Sequence, residues 1–156
     1  MNENRLILPM APATQSDDWA NSLGQIAREA SAAFACDEAR HLRALYALLI
    51  SGRHGCILAG LTLGEPELIE CLIMVGACDS AALALLAGDC GYMISRGSLD
   101  EHMATVMLSG QDEEYIGSGD SLALALVSAI ALALGASANS AARPDPGIRQ
   151  SDLRLN

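Results

Sequence analysis

GYMISRGSLDEHMATVMLSGQDEEYIGSGDSLALAL, residues Gly91 to Leu126, is the stretch on which the fold turns. It can be read as strands. Tyr92, Met93 and Ile94 form one apolar run, and Gly97-Ser98 supply a turn. His102 to Leu108, with Thr105 and Val106, form a second run. Gly110 turns the chain again before Tyr115-Ile116. Two of the chain's three tyrosines and several of its scarce strand formers gather here, which predicts a small antiparallel sheet. The rival reading is helical, because Ser98-Leu99-Asp100-Glu101 has the S-x-x-E form of a capping box. Either way the stretch leads into an alanine–leucine run, which Asp120 or Ser121 caps as a helix from about Leu122 to Leu134, with Gly135 as its stop.

Upstream of this stretch the patterning is helical. Asp17 and Asp18 suit the positive end of a helix dipole, and Trp19, Leu23, Ile26, Ala27 and Ala30 follow at helical spacing. A second helix begins near Asp37, with Leu42, Leu45, Tyr46, Leu49 and Ile50 as its stripe and Gly52 as its end. Residues 53–64 are either a short strand or a short buried helix. Glu65-Pro66 opens a further helix carrying Leu68, Ile69, Leu72, Ile73 and Val75, since proline fits a first turn. Asp79-Ser80 caps another that runs to about Asp89.

The expected class is therefore α+β: a helix-rich N-terminal half, a small antiparallel sheet and a long C-terminal helix. An all-α bundle is the alternative. Residues 1–15 read as a flexible arm. Residues 16–135 read as one globular domain, helical over 16–89 and ββ(β)α over 90–135. Residues 136–156, polar and proline-containing, read as a disordered tail.

Composition agrees with this class and narrows the partners. Of the 156 residues 51% are apolar but only 3% aromatic, and alanine and leucine dominate, which favours helices. The net charge is −10 and the chain contains no lysine, a bias that fits a GC-rich bacterial genome. Nucleic acids and anionic membranes are held by basic clusters, so neither is an expected partner. The apolar run Leu122 to Leu134 is shorter than the roughly 20 residues a bilayer span takes. Pro9 breaks the short apolar stretch at the N-terminus, so no signal peptide is read there. Cys36, Cys56, Cys71, Cys78 and Cys90 are odd in number and lack CxxC spacing, which predicts reduced thiols in the cytoplasm.

In HMATVMLSGQDEEYIGSGDSLALALVSAIALAL, the placing of Gly117, Gly119, Ser121, Ala125, Ala129 and Leu132 resembles a double-stranded RNA-binding domain. There a three-stranded sheet enters an alanine-rich helix through a G-x-G-x-S turn. The order is similar too to small phage and prophage α/β sandwich domains, which would imply a mobile-element origin. RNA binding does not carry over. The positions where that family needs basic residues hold Leu122 and Ala123, and Asp112, Glu113, Glu114 and Asp120 flank the turn. Nor is GSGDS a phosphate loop, which requires a Gly-Lys-Ser/Thr sequence. Gly117, Gly119, Asp120 and Ser121 are read as a structural helix-entry turn that serves the helix's own N–H groups.

No catalytic, cofactor or metal residue is assigned. His41, His54 and His102 are scattered, and His54 with Cys56 would give only two ligands where zinc takes three or four. Cys71 and Cys78 read as a core stripe, and Met74, Met93, Met103 and Met107 as core filler. The acids at Glu65, Glu67 and Glu70 and at Asp112 to Glu114 read as solvated faces. The expected function is non-enzymatic: binding to another protein or to a second copy, because the Ala-Leu helix must be covered nearly all round. Two alternatives stand beside it. One is an acidic inhibitor or mimic aimed at a nucleic-acid-binding protein. The other is a small hydrolase using Cys56 with His54 or His102.

Overall fold

A computed structural model describes residues 14–51, 61, 63–86 and 88–142. The fold is α+β, and the described residues form five α-helices and one three-stranded antiparallel sheet. The helices are α1 (Thr14–Ala32), α2 (Glu38–Ser51), α3 (Pro66–Met74), α4 (Cys78–Leu83) and α5 (Leu122–Ala142). A 3-10 turn over Ala35–Asp37 leads into α2. The strands β1 (Gly91–Arg96), β2 (His102–Met107) and β3 (Tyr115–Gly119) lie in sequence order.

The strand reading of 91–119 holds, and the hairpin shows why the capping-box reading does not. Arg96 pairs with His102, and the Gly97 N–H donates to the Glu101 carbonyl at 2.8 Å. Three residues, Ser98 to Asp100, remain as the loop, and Asp100 takes a left-handed φ of 62°. This is a three-residue hairpin connection with its last loop residue in the left-handed region. Asp100 is thus spent on closing a turn, and its carboxylate pairs with Arg96 at 3.0 Å.

The core centres on α5. Leu124, Leu126, Val127, Ile130 and Leu134 are all buried, as are the alanines between them. One flank of α5 lies on the sheet, against β2 and β3. Another lies along α1, with α2 and α4 filling in beside it. The stretch Leu122–Ser140 is long and apolar enough to cross a membrane, contrary to the shorter helix expected from sequence, but 67% of it is buried inside the fold. Its apolarity is accounted for by what it touches here.

α1 and α5 run antiparallel. The Ser128 hydroxyl donates to the Ala27 carbonyl at 3.2 Å, while seven residues on, Gly135 faces Ala20 and Leu23. Small residues on both helices let the backbones approach. Trp19, Leu23, Ala27 and Ala30 are buried on this side, as the spacing predicts. Gly135 is therefore not a stop: α5 continues to Ala142, so residues 136–142, read as the start of a tail, are helical. A glycine ends a helix where it takes a left-handed conformation, and Gly135 does not.

Two other expectations shift. The helix placed over 79–89 is only Cys78–Leu83, and Ala77 rather than Asp79 stands at its N-cap. Its end tightens through Leu85 N–H to Ala82 and Leu86 N–H to Leu83 bonds, and Leu86 then bridges Leu61. Of the ambiguous segment 53–64, Leu61 makes this isolated bridge, while 53–60 and 62 lie outside the described residues. Pro66 does open α3, and Ile69 and Ile73 are its buried side; Leu68, Met74 and Val75 are exposed.

Candidate functional site

The glycines of the helix-entry motif belong to the strand. Gly117 and Gly119 lie in β3, opposite Ala104 and His102 of β2. Ala104 is fully buried, so these positions face α5. A Cβ at Gly117 would stand 2.4 Å from the Ala125 carbonyl oxygen and from the Ala129 nitrogen. One at Gly119 would stand 2.8 Å from the Ala125 nitrogen and from the Leu124 Cβ. Both distances are far inside van der Waals contact. The missing side chains allow the backbone of α5 to rest directly on the backbone of β3.

Asp120 and Ser121 do form the entry. The Ser121 hydroxyl accepts the Leu124 N–H at 3.3 Å, a helix N-cap. Asp120 has a different use: its carboxylate accepts the Ala35 N–H at 2.8 Å, tying the link between α1 and α2 to the end of the sheet. Beside it a cleft of about 220 Å³ runs between the end of α1, with exposed Phe34 in the link that follows it, and the hairpin tip at Leu99 to Glu101. Carboxylates of Asp100, Glu101 and Asp120 line it.

The sheet has one sheltered side and one open side. β3 meets α1, and the hydroxyls of Ser31 and Ser118 are 3.1 Å apart. β1 is the other edge. After half-buried Gly91, every residue from Tyr92 to Arg96 is exposed, on both faces. Tyr92 and Ile94 stand opposite buried Val106 and Ala104, on the helix side of the sheet, yet are 54% and 39% exposed. β1 overhangs the helix layer. On the outer face, Met93, Thr105 and Ile116 form a row across the three strands. Met93 and Ile116 are 62% and 57% exposed, and Met103 lies beside them, 38% exposed. The methionines read as filler at 93 and 103 thus face outward.

Charge is distributed to match. No carboxylate lies in β1, β2, β3 or α5; the acids of the described residues sit on α1–α4 and in the connections. From Cys90 to Ser95 there is no charged residue and no proline. Edge strands usually carry such residues, or a bulge, as protection against pairing. β1 pairs with β2 in continuous register, without a bulge, and its one charged residue is Arg96 at its end.

The hydrogen-bonding pattern of the open edge follows from the hairpin. Gly97 and Glu101 form a hydrogen-bonded pair, and such pairs alternate along an antiparallel ladder. Ser95, Met93 and Gly91 therefore bond inward to β2. The N–H and C=O groups of Tyr92, Ile94 and Arg96 point away from the sheet.

The titratable groups do not assemble into a reactive cluster on this side. His41 is buried in α2, with its Nε2 3.0 Å from an Arg40 guanidinium nitrogen. Burial first, and Arg40 second, hold its pKa below the ordinary imidazole value. His102 begins β2, and its buried Nδ1 has no hydrogen-bond partner. Cys78 is buried, and desolvation pushes its thiol up, away from thiolate character. Cys56 and His54 lie outside the described residues. Among the described residues no three His, Cys, Asp or Glu side chains are placed to hold a metal ion.

Sequence reasoning found β1 as a strand but not as the open one. The signal was present in the uncharged run Cys90 to Ser95, but an apolar strand is more simply read as central. Its exposure is set by the connection order, which leaves it last in line beyond α5. No protein-family model, no curated protein and no solved structure matches this chain.

Proposed function

We propose that this protein is a non-enzymatic binding protein that acts by protein–protein contact through the β1 edge and the outer face of its sheet. One observation carries the reading: a strand with both faces exposed presents backbone groups at Tyr92, Ile94 and Arg96 that are unpaired among the described residues, with no bulge, no proline and no charge before Arg96 at its end. Such an edge takes up an added strand, main-chain bonds giving affinity and alternate side chains giving selectivity. Exposed Tyr92 and Ile94 on one face and Met93 on the other are the side chains that would be read. The lack of carboxylates on the sheet supports a partner surface that is apolar rather than basic.

The test is a selection of random extended peptides against the immobilised full-length chain. Peptides should be recovered that bind the wild type and lose binding to Ile94→Pro. Ile94 directs its N–H away from β2, so proline there removes a free-edge donor and leaves the hairpin bonds in place. A selection returning no peptides, or only peptides indifferent to Ile94→Pro, would count against the reading.

A further inference from the structure

We propose that the partner of this edge is a second copy of the chain, with β1 pairing antiparallel to its counterpart about a two-fold axis at Met93. The inference rests on the reading of β1 as the contact surface and deepens it by naming the occupant.

The hydrogen-bond pattern limits how two copies can meet. Residues that bond across the new interface must be drawn from Tyr92, Ile94 and Arg96 on both strands, because their neighbours are committed to β2. Near the strand's middle, a two-fold axis can then pass only at Met93 or at Ile94. Centred on Ile94, the pairing sets Tyr92 against the partner's Arg96 and Met93 against the partner's Ser95. Centred on Met93, it sets Tyr92 against the partner's Ile94 and Met93 against the partner's Met93. Aromatic against β-branched is among the favourable cross-strand pairs. This second register also gathers Tyr92 and Ile94 of both copies on the helix side, where each strand now overhangs α5. The side chains left uncovered in one copy are covered by the same side chains of the other.

Electrostatics favour a second copy at this place. With a net charge of −10, two copies repel over most of their surface. β1, lying in a sheet without carboxylates, is a site where they meet with no acid opposite an acid. Its single charge, Arg96, falls opposite the partner's Cys90, one residue from the partner's Asp89. Arg96 is already paired with Asp100 of its own copy, so the register brings no unpaired like charges together. The contact is one strand wide, below the roughly 1,200 Å² of stable interfaces, so the dimer is weak and reversible.

Sedimentation equilibrium of the full-length chain, from micromolar to about 0.5 mM, tests this in the concentration range of weak complexes. Wild type should show a reversible monomer–dimer equilibrium, and Ile94→Pro should remain monomeric with an unchanged far-ultraviolet spectrum. The register has its own readout. Antiparallel non-hydrogen-bonded pairs stand about 4.5 Å apart, within disulfide reach, so Met93→Cys should give an oxidised dimer well above the background of the native cysteines. A wild type that stays monomeric throughout, a dimer indifferent to Ile94→Pro, or a Met93→Cys chain that crosslinks no more than wild type would each overturn the proposal. Monomeric wild type together with selected peptides that need Ile94 would leave the edge as a binding surface and remove only the second copy. Failure of both experiments would remove both.

Discussion

Gly117→Ala isolates the contact between α5 and the sheet. The added Cβ would lie 2.4 Å from two backbone atoms of α5 and 2.9 Å from the Ser128 Cβ. Neither backbone atom can swing aside, so helix and strand must separate by about 1 Å to reach ordinary contact in a close-packed interior. α5 is clamped on its other flank by α1, through Ala27–Ser128 and Ala20–Gly135, so the separation disturbs both layers. Overpacking of this kind costs typically 1–3 kcal/mol and occasionally more. Loss of glycine's freedom in the unfolded chain returns about 0.4–1 kcal/mol. Two backbone atoms in the clash place the cost in the upper part of that range, so we expect a net loss of about 1–2.5 kcal/mol, which lowers Tm by roughly 2–10 °C at this size. Urea denaturation followed by circular dichroism reads the change as a shift in midpoint at constant slope. Gly88→Ala, where an added Cβ meets nothing within 4 Å, is the control and should be neutral or slightly stabilising. A Gly117→Ala protein within about 0.5 kcal/mol of wild type, the range of ordinary surface substitutions, would refute the backbone-on-backbone contact.

The other expectations concern single bonds and groups. Gly135→Ala should stabilise the chain by about 0.5–1 kcal/mol, since alanine is the better helix former and its Cβ would meet Ala20 and Leu23 at an ordinary 3.8 Å. A loss in the same denaturation assay would show that the residue ends the helix after all. Asp120→Ala should cost about 1 kcal/mol by removing the acceptor of the Ala35 N–H, and hydrogen exchange at that amide should speed up while the α5 amides hold. His41 gives a pH dependence. Its folded pKa lies below 6.5, so both states are neutral above that pH, and below it the unfolded chain takes the proton first. Stability should therefore fall as pH drops from 7 to 5, and His41→Gln should flatten that part of the profile. Arg40, Glu29 and Asp37 also act on this group, so the comparison is made with them unchanged.

How much of this could be seen in advance depended on whether local rules decided the outcome. Pro66 at a first turn, the buried stripe Leu42-Leu45-Leu49 and the strands around Gly97 and Gly110 follow from short-range chemistry, and they appear as expected. Gly110 takes a φ of 75°, as a turn glycine should. The misread glycines were those whose reason is tertiary. Gly117, Gly119 and Gly135 resemble a turn and a stop when read along the chain. They are close-approach positions, two for a helix on a strand and one for helix on helix. Asp120 likewise looks like a cap but serves a residue 85 positions away. The open edge at β1 was hidden for the same reason, because exposure is a property of strand order and of where α5 ends its cover.

The pairing of α1 with α5 has a consequence for how the protein is made. Ala27 and Ser128 meet across 101 positions, so the side of α1 that packs on α5 has no seat until α5 has left the ribosome. At 5–20 residues per second that interval is roughly 5–20 s of synthesis. Leu23 and Ala27, which meet α5 in the folded chain, lack that cover throughout it. The N-terminal helices are thus a waiting half-shell rather than a self-sufficient unit, and truncation ahead of Leu122 should leave a chaperone client instead of a smaller folded protein.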